Sequence, residues 1–286
     1  MSAKRIQWAA LAMLFLLPAA NSATVEFKVR TLRRDIVEQR LQGYRGNDTQ
    51  REATLKRFFE GAGCAGERLI EQAVKSLKQP NLICTLPGVT DSVIVVGAHY
   101  DHVDAGDGVV DNWSGTSLLP SFYQVLNTKQ SHFTFVFAAF AGEEKGLIGS
   151  QYYVKNLSRE KLSNVKAMIC IDTLGLGPAV VWFSRSDPQL VRALSTVAHG
   201  LNMPLAGVDV GLVGMSDEEA FIKHKVPSII IHSLTQETLS ILHSPRDNYS
   251  ALRLDDYFES YKLLSGYLDY LDQTLPTAGQ SAPIAP

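Results

Sequence analysis

Cysteine is scarce, with three residues in 286, which excludes a small disulfide scaffold. Neither sign of charge dominates: 27 Lys and Arg stand against 29 Asp and Glu. There is no basic stripe and no polybasic arm, so nucleic acid and anionic membrane are poor partners. Beyond residue 22 no apolar run approaches the roughly 20 residues that a membrane-spanning helix needs, and no internal repeat is present. The one early apolar run, Trp8 to Ala20, is too short to span a bilayer. With Lys4 and Arg5 ahead of it and Ala20-Asn21-Ser22 behind it, residues 1–22 read as a secretory signal cleaved near Ser22. An uncleaved anchor is the alternative.

Cleavage leaves about 264 residues with 25 basic and 29 acidic side chains, long enough for one large domain with a full core. That domain is expected over 23–273, in the periplasm or outside the cell and with no stable membrane association. The last stretch, 274–286 (TLPTAGQSAPIAP), has little to bury and reads as a disordered tail. In an exported chain Cys64 and Cys84 are available to close a disulfide; the alternative is two unpaired thiols. Cys170 lies in an apolar run and reads as a small buried hydrophobe.

What the chain has in quantity is short apolar runs that stop at glycine or an acidic residue. The organising one is Val93 to Gly115, VIVVGAHYDHVDAGDGVVDNWSG. Val93 to Val96 is an unbroken β-branched run, as in a strand buried on both faces, and it delivers His99, Asp101 and, after a Gly-rich loop, Asp111. Phe133 to Phe140 is a second such strand and leads to Glu143-Glu144. Ala167 to Ile171 is a third and ends in Asp172. Val180 to Phe183 and Pro227 to His232 supply a fourth and a fifth, and Asn81 to Leu86 one more ahead of them.

Helical spacing of apolar residues marks 31–43, 51–78 (interrupted at Gly61 to Gly66), 114–126, 147–157, 188–200 and about 255–272. Strands alternating with helices imply an α/β fold: a single doubly wound domain, its central sheet mostly parallel and covered by helices on both faces. In such folds ligands collect beyond the carboxyl ends of the strands.

Taken singly, each of these polar residues has a structural explanation, the histidine as a satisfied loop residue and the acid as a helix cap. Together they converge. Carboxylates gathered at one sheet edge repel each other and lose hydration, at a cost of several kcal/mol per ion unless a cation neutralises them. Imidazole and carboxylate are also the ligand types zinc takes.

The segments GAHYDH, DNWSG, FAGEEKGLIGS, CIDTLG and HSPRDN, in that order across residues 90–250, resemble the zinc aminopeptidase family of co-catalytic metallopeptidases. That family includes bacterial leucyl aminopeptidases and, by divergence, the glutaminyl cyclases. The first ninety residues carry none of these motifs. The resemblance implies two zinc ions per chain bridged by Asp111, with His99 and Asp172 completing one and Glu144 and His243 the other. It implies Glu143 as general base, Asp101 as the carboxylate steadying the His99 ring, and peptide substrates cut at the N-terminal bond by a water shared between the ions.

Two departures from the family pattern stand out. Ser216-Asp217-Glu218-Glu219-Ala220-Phe221 replaces a Ser-Asp-His run and has the spacing of a capping box, Ser216 to Glu219, although Asp217 or Glu218 could instead hold a substrate amine. Leu242 precedes His243 where some relatives have tyrosine, which makes Tyr249 the replacement candidate. Trp182, Phe183, Met215 and Phe221 are candidates for the substrate pocket or for plain core. His102, His224 and His232 are read as hydrogen-bonded side chains outside the ligand set. The rival readings are a single-zinc glutaminyl cyclase, a non-catalytic relative of the fold, and a carboxypeptidase or amidohydrolase.

Overall fold

The computed structural model describes residues 27–210 and 214–277. The expected signal lies outside the described residues, as does the chain beyond 277. Among the described residues eight strands form one sheet: β1 (Leu69–Gln72), β2 (Asn81–Leu86), β3 (Val93–His99), β4 (Thr134–Phe140), β5 (Val165–Ile171), β6 (Val180–Val181), β7 (Ala206–Gly207) and β8 (Ser228–His232). Their order is β1-β2-β4-β3-β5-β8-β6-β7. The four central strands, β4, β3, β5 and β8, run parallel, while β1, β2 and β6 each pair antiparallel with a neighbour. The apolar runs of the sequence are these central strands, buried on both faces.

The helices are α1 (Arg34–Leu41), α2 (Asp48–Gly61), α3 (Ser114–Thr116), α4 (Leu119–Leu126), α5 (Ile148–Lys155), α6 (Arg159–Asn164), α7 (Pro188–Gly200), α8 (Glu218–Ile222) and α9 (Leu254–Thr274). They cover both faces of the sheet, as β4 shows. Phe137 meets Tyr123 of α4 edge-on at 6.1 Å, and Phe140, an odd number of residues on, meets Tyr153 of α5 at 5.8 Å and Phe221 of α8 at 6.3 Å. Residues an odd number apart on a strand point to opposite faces. From β3 the chain passes to β4 on one side, then returns across β3 to β5 on the other. This reversal of direction opens the crevice at the carboxyl ends in which doubly wound folds bind ligands.

Four expectations need correcting. The helical reading of 51–78 holds only to Gly61; Leu69–Gln72 is instead the edge strand β1, in antiparallel register with β2. Its period is ambiguous over four residues, and its pairing with β2 is a tertiary contact made beside the Cys64–Cys84 disulfide. Closing a loop of this size removes about 3 kcal/mol of unfolded-state entropy. The strand expected over Val180 to Phe183 stops at Val181, because Phe183 begins a short 3-10 turn. Thr274, assigned to the tail, is still in α9 and Leu275 packs against the core.

The capping box at Ser216 does not form either. The residue before α8 is Asp217, with no side-chain cap, and the Glu219 amide donates to the Ser216 carbonyl rather than to its hydroxyl. A capping box does exist at α2, where Asn47 and Gln50 bond reciprocally to each other's amides.

Candidate metal centre

Four loops leave the carboxyl edge of the sheet and converge. His99 is the last residue of β3, buried at 1% exposure. Its Nδ1 faces the main-chain carbonyl of Asp101 at 3.2 Å, which leaves Nε2 directed at the crevice. There Nε2 stands 3.3 Å from Asp111 Oδ1, 3.8 Å from Asp172 Oδ1 and 4.0 Å from Glu143 Oε2. On the far side His243 Nε2 stands 3.2 Å from Asp111 Oδ2 and 3.1 Å from Glu144 Oε2. Each oxygen of the Asp111 carboxylate thus faces a different histidine. His99, Glu143 and Asp172, and separately His99, Asp111 and Glu144, bring one ligand atom apiece within 4.8 Å of one another.

These separations suit a metal. Ligand atoms about 2.0–2.2 Å from a tetrahedral zinc lie roughly 3.3 Å apart, close to the His99–Asp111, His243–Asp111 and His243–Glu144 distances. Glu144 Oε1 is buried with no hydrogen-bond partner, the condition of a ligand atom whose partner is a cation.

Electrostatics point the same way. Burial opposes ionisation of Asp111, yet hydrogen bonds from His243 and His99 hold it far below the ordinary carboxylate range. Burial pushes Glu143 up to about 10, an effect that Asp217, Asp172 and Asp111 reinforce and His99 opposes. Burial and the charge of Asp111 push Glu144 up to about 7. His243, paired with Asp111, rises to about 9. Without a cation the cluster must therefore retain protons, and a divalent ion would displace them.

The groups that hold these loops are not among the residues singled out from the sequence. Asp247 is buried and accepts the amides of Val110 at 2.7 Å and Asp111 at 3.1 Å. Asn112, joined to Asp111 by a cis peptide bond, donates to the Ile171 carbonyl at 2.9 Å and accepts the amides of Gly115 and Thr173. It thereby sews the Asp111 turn to the end of β5. Gly115 is required there, since a Cβ would lie 2.7 Å from the Ile171 carbonyl oxygen. Asp247, Asn112 and Gly115 lie inside the quoted motifs, so the signal was present without a role attached.

The Asp101 carboxylate accepts the amides of Glu143 at 3.0 Å and Glu144 at 3.2 Å. Its nearest carboxylate oxygen stands 3.7 Å from His99 Nδ1, so the steadying of that ring falls to the Asp101 carbonyl.

The cavity above the cluster, about 280 Å³, is walled on its apolar side by Leu147, Trp182, Val210, Met215, Ile230, Leu234 and Leu242. Three other candidates do not line it. Phe221 is fully buried against Phe140 and Tyr153. Phe183 is exposed. Tyr249 is stacked on Tyr44 at 6.1 Å, so it does not take the place of the missing tyrosine.

Asp217 and Glu218 are buried behind the cavity wall. Both Asp217 oxygens lack partners, whereas Glu218 is held by Arg185 at 3.2 Å. Of the histidines set aside, His102 pairs with Asp48 and His224 is exposed. His232 lines the cavity, but its Nδ1 accepts the Leu234 amide and its Nε2 donates to the Val208 carbonyl.

Fold and site together define a class: α/β proteins that gather imidazole and carboxylate ligands at the carboxyl edge of a parallel sheet. Residues 81–267 match Peptidase family M28, more than half of the chain, and the chain belongs to that family. It is 33% identical over 241 residues to a probable leucine aminopeptidase of Trichophyton verrucosum, covering 77% of this chain and 63% of that protein. It superposes on the LapA aminopeptidase of Legionella pneumophila with a TM-score of 0.77 at 21% identity, over 90% of this chain and 79% of that one. Its fold also matches a glutaminyl cyclase of Fimbriiglobus ruber, with a TM-score of 0.67 at 16% identity, over 87% of this chain and 99% of that one. The chain spans less than two thirds of the length of the curated relatives it matches.

Proposed function

We propose that this protein is an exported zinc aminopeptidase that hydrolyses the N-terminal peptide bond of peptides. The observation that carries the proposal is Asp111, one carboxylate whose two oxygens each face a different histidine. A side chain so placed serves two cations. His99 and Asp172 would hold one ion and Glu144 and His243 the other. Bound there, a pair of zinc ions would supply a water of lowered pKa and a positive field for the developing oxyanion.

The chain's own groups do the rest. Glu143 stands beside the ligand cluster without being needed in it, and its carboxylate takes the proton of the attacking water. The C–N bond breaks as that proton passes to the leaving amine, giving one free N-terminal residue and a shortened peptide. Asp101 holds the Glu143 and Glu144 amides, so base and ligand move as one unit. The apolar wall accepts the side chain of the first residue.

Export is supported by the apolar run near the start and by the Cys64–Cys84 bridge, which persists in oxidising compartments. Among the described residues no helix is long and apolar enough to cross a membrane.

The second reading, glutaminyl cyclase, draws on a fold match that covers nearly the whole of such an enzyme. Assays on a leucyl anilide and on a glutaminyl peptide separate the two. The proposal expects a free amino acid from the first. Cyclised product from the second, with no release of amino acid, would overturn it.

A further inference from the structure

The region ahead of the family motifs holds the motif loops in place, and its strongest feature is a buried arginine. Arg51 projects from α2, before residue 81 where the family match begins. It is 0% exposed and has no carboxylate partner among its hydrogen bonds. Its guanidinium donates instead to main-chain carbonyls: Tyr44 at 2.9 Å, Tyr100 at 3.3 Å, Gly108 at 3.1 Å, and Asp107. It also lies over the Trp113 ring, 5.6 Å from its centroid.

Four of those five residues flank the segments that carry ligands. Tyr100 sits between His99 and Asp101; Asp107, Gly108 and Trp113 bracket Asp111. A planar fork with five donors can bond several carbonyls at once, which the compact ammonium of lysine cannot do.

The same region of chain reaches two more loops. Asp48 pairs with His102 at 3.2 Å and with Lys145, next to Glu144, at 3.7 Å. Tyr44, just ahead of α2, stacks on Tyr249 of the loop that follows His243.

We infer that Arg51 is a positioning residue for the metal centre: it fixes the turn over 102–108, and through that turn the Asp111 carboxylate, at the spacing two cations require. The inference rests on the proposed metal function, but the turn itself can be followed without metal.

The test compares Arg51→Lys with Leu55→Ala, a buried apolar change on the same helix that removes no hydrogen bond. Hydrogen exchange on metal-free protein reads the turn, and chelator competition reads zinc affinity. Arg51→Lys is expected to speed exchange over residues 100–113 and to weaken zinc binding by roughly 10–100-fold, the scale for losing a group that orients ligands. Leu55→Ala should lower Tm and leave both readouts at wild-type values.

Unchanged exchange in a folded Arg51→Lys overturns the inference, as does an equal loss of zinc in Leu55→Ala. If Arg51→Lys does not fold, Arg51→Gln, whose single amide cannot span those carbonyls, carries the test. Faster exchange over 102–108 then upholds the inference and unchanged exchange overturns it. Wild-type protein that binds no zinc while Arg51→Lys still loosens the turn would refute the metal reading and leave the positioning role standing.

Discussion

Two regions meet at the crevice and differ in how they are built. The loops at the carboxyl edge of the sheet, from His99 to His243, bring ligands whose identity decides the chemistry. The region from residue 27 to residue 90 brings α1, α2 and the β1–β2 pair, and acts on those loops through their main-chain carbonyls and an aromatic stack. A ligand site restricts residue type sharply, because only certain side chains coordinate a metal. A carbonyl clamp restricts it as sharply, yet leaves no local pattern, since its partners are backbone.

The largest effect expected from breaking this contrast is at Glu143. Glu143→Ala should keep its zinc while turnover on a leucyl anilide falls by at least about a hundredfold, the scale of a lost general base. Metal analysis and initial rates on one preparation check it.

Next is Asp247, which holds the Val110 and Asp111 amides. Asp247→Asn should weaken zinc binding by roughly 10–100-fold in a chelator competition. An effect as large as that of Arg51→Lys would put the two kinds of support on an equal footing.

Smaller per pH unit is the pH dependence of metal binding. In metal-free protein His243 holds its proton up to about 9 and Glu144 up to about 7. Both lie above their ordinary values, so these groups keep protons at neutral pH that a metal must displace. Apparent zinc affinity should therefore rise with pH to about 9, by roughly tenfold per pH unit for each proton released. Calorimetry in buffers of different ionisation enthalpy counts those protons.

The smallest expected effect is at Ser216, which makes no cap. Ser216→Ala should cost less than Asn47→Ala, which at the capping box that does form should cost about 1 kcal/mol. Chemical denaturation of both variants checks the pair.

The legible and the illegible divide along the same line. The central strands could be read because burial on both faces demands unbroken apolar runs, and the strand-end position of His99, Glu143, Glu144 and Asp172 follows from those runs. Leu69–Gln72 could not be read as a strand, because four residues carry too little periodicity and the pairing partner is set by tertiary contacts. The Ser216–Glu219 spacing suggested a cap, but the turn ahead of α8 directs the Ser216 hydroxyl at Cys170 Sγ instead, at 3.5 Å. Phe221 and Tyr249 are aromatic in the right stretches of chain. Only packing assigns the first to the core and the second to Tyr44. Arg51 left no trace, since a charged residue on an amphipathic helix ordinarily faces water.

Zinc content per chain, measured on wild-type protein and on His243→Ala after dialysis against the same free zinc concentration, bears most directly on the claim that Asp111 serves two cations at once. Two ions in the wild type and one in His243→Ala are expected. A single ion in the wild type, retained unchanged when His243 is removed, would contradict that claim.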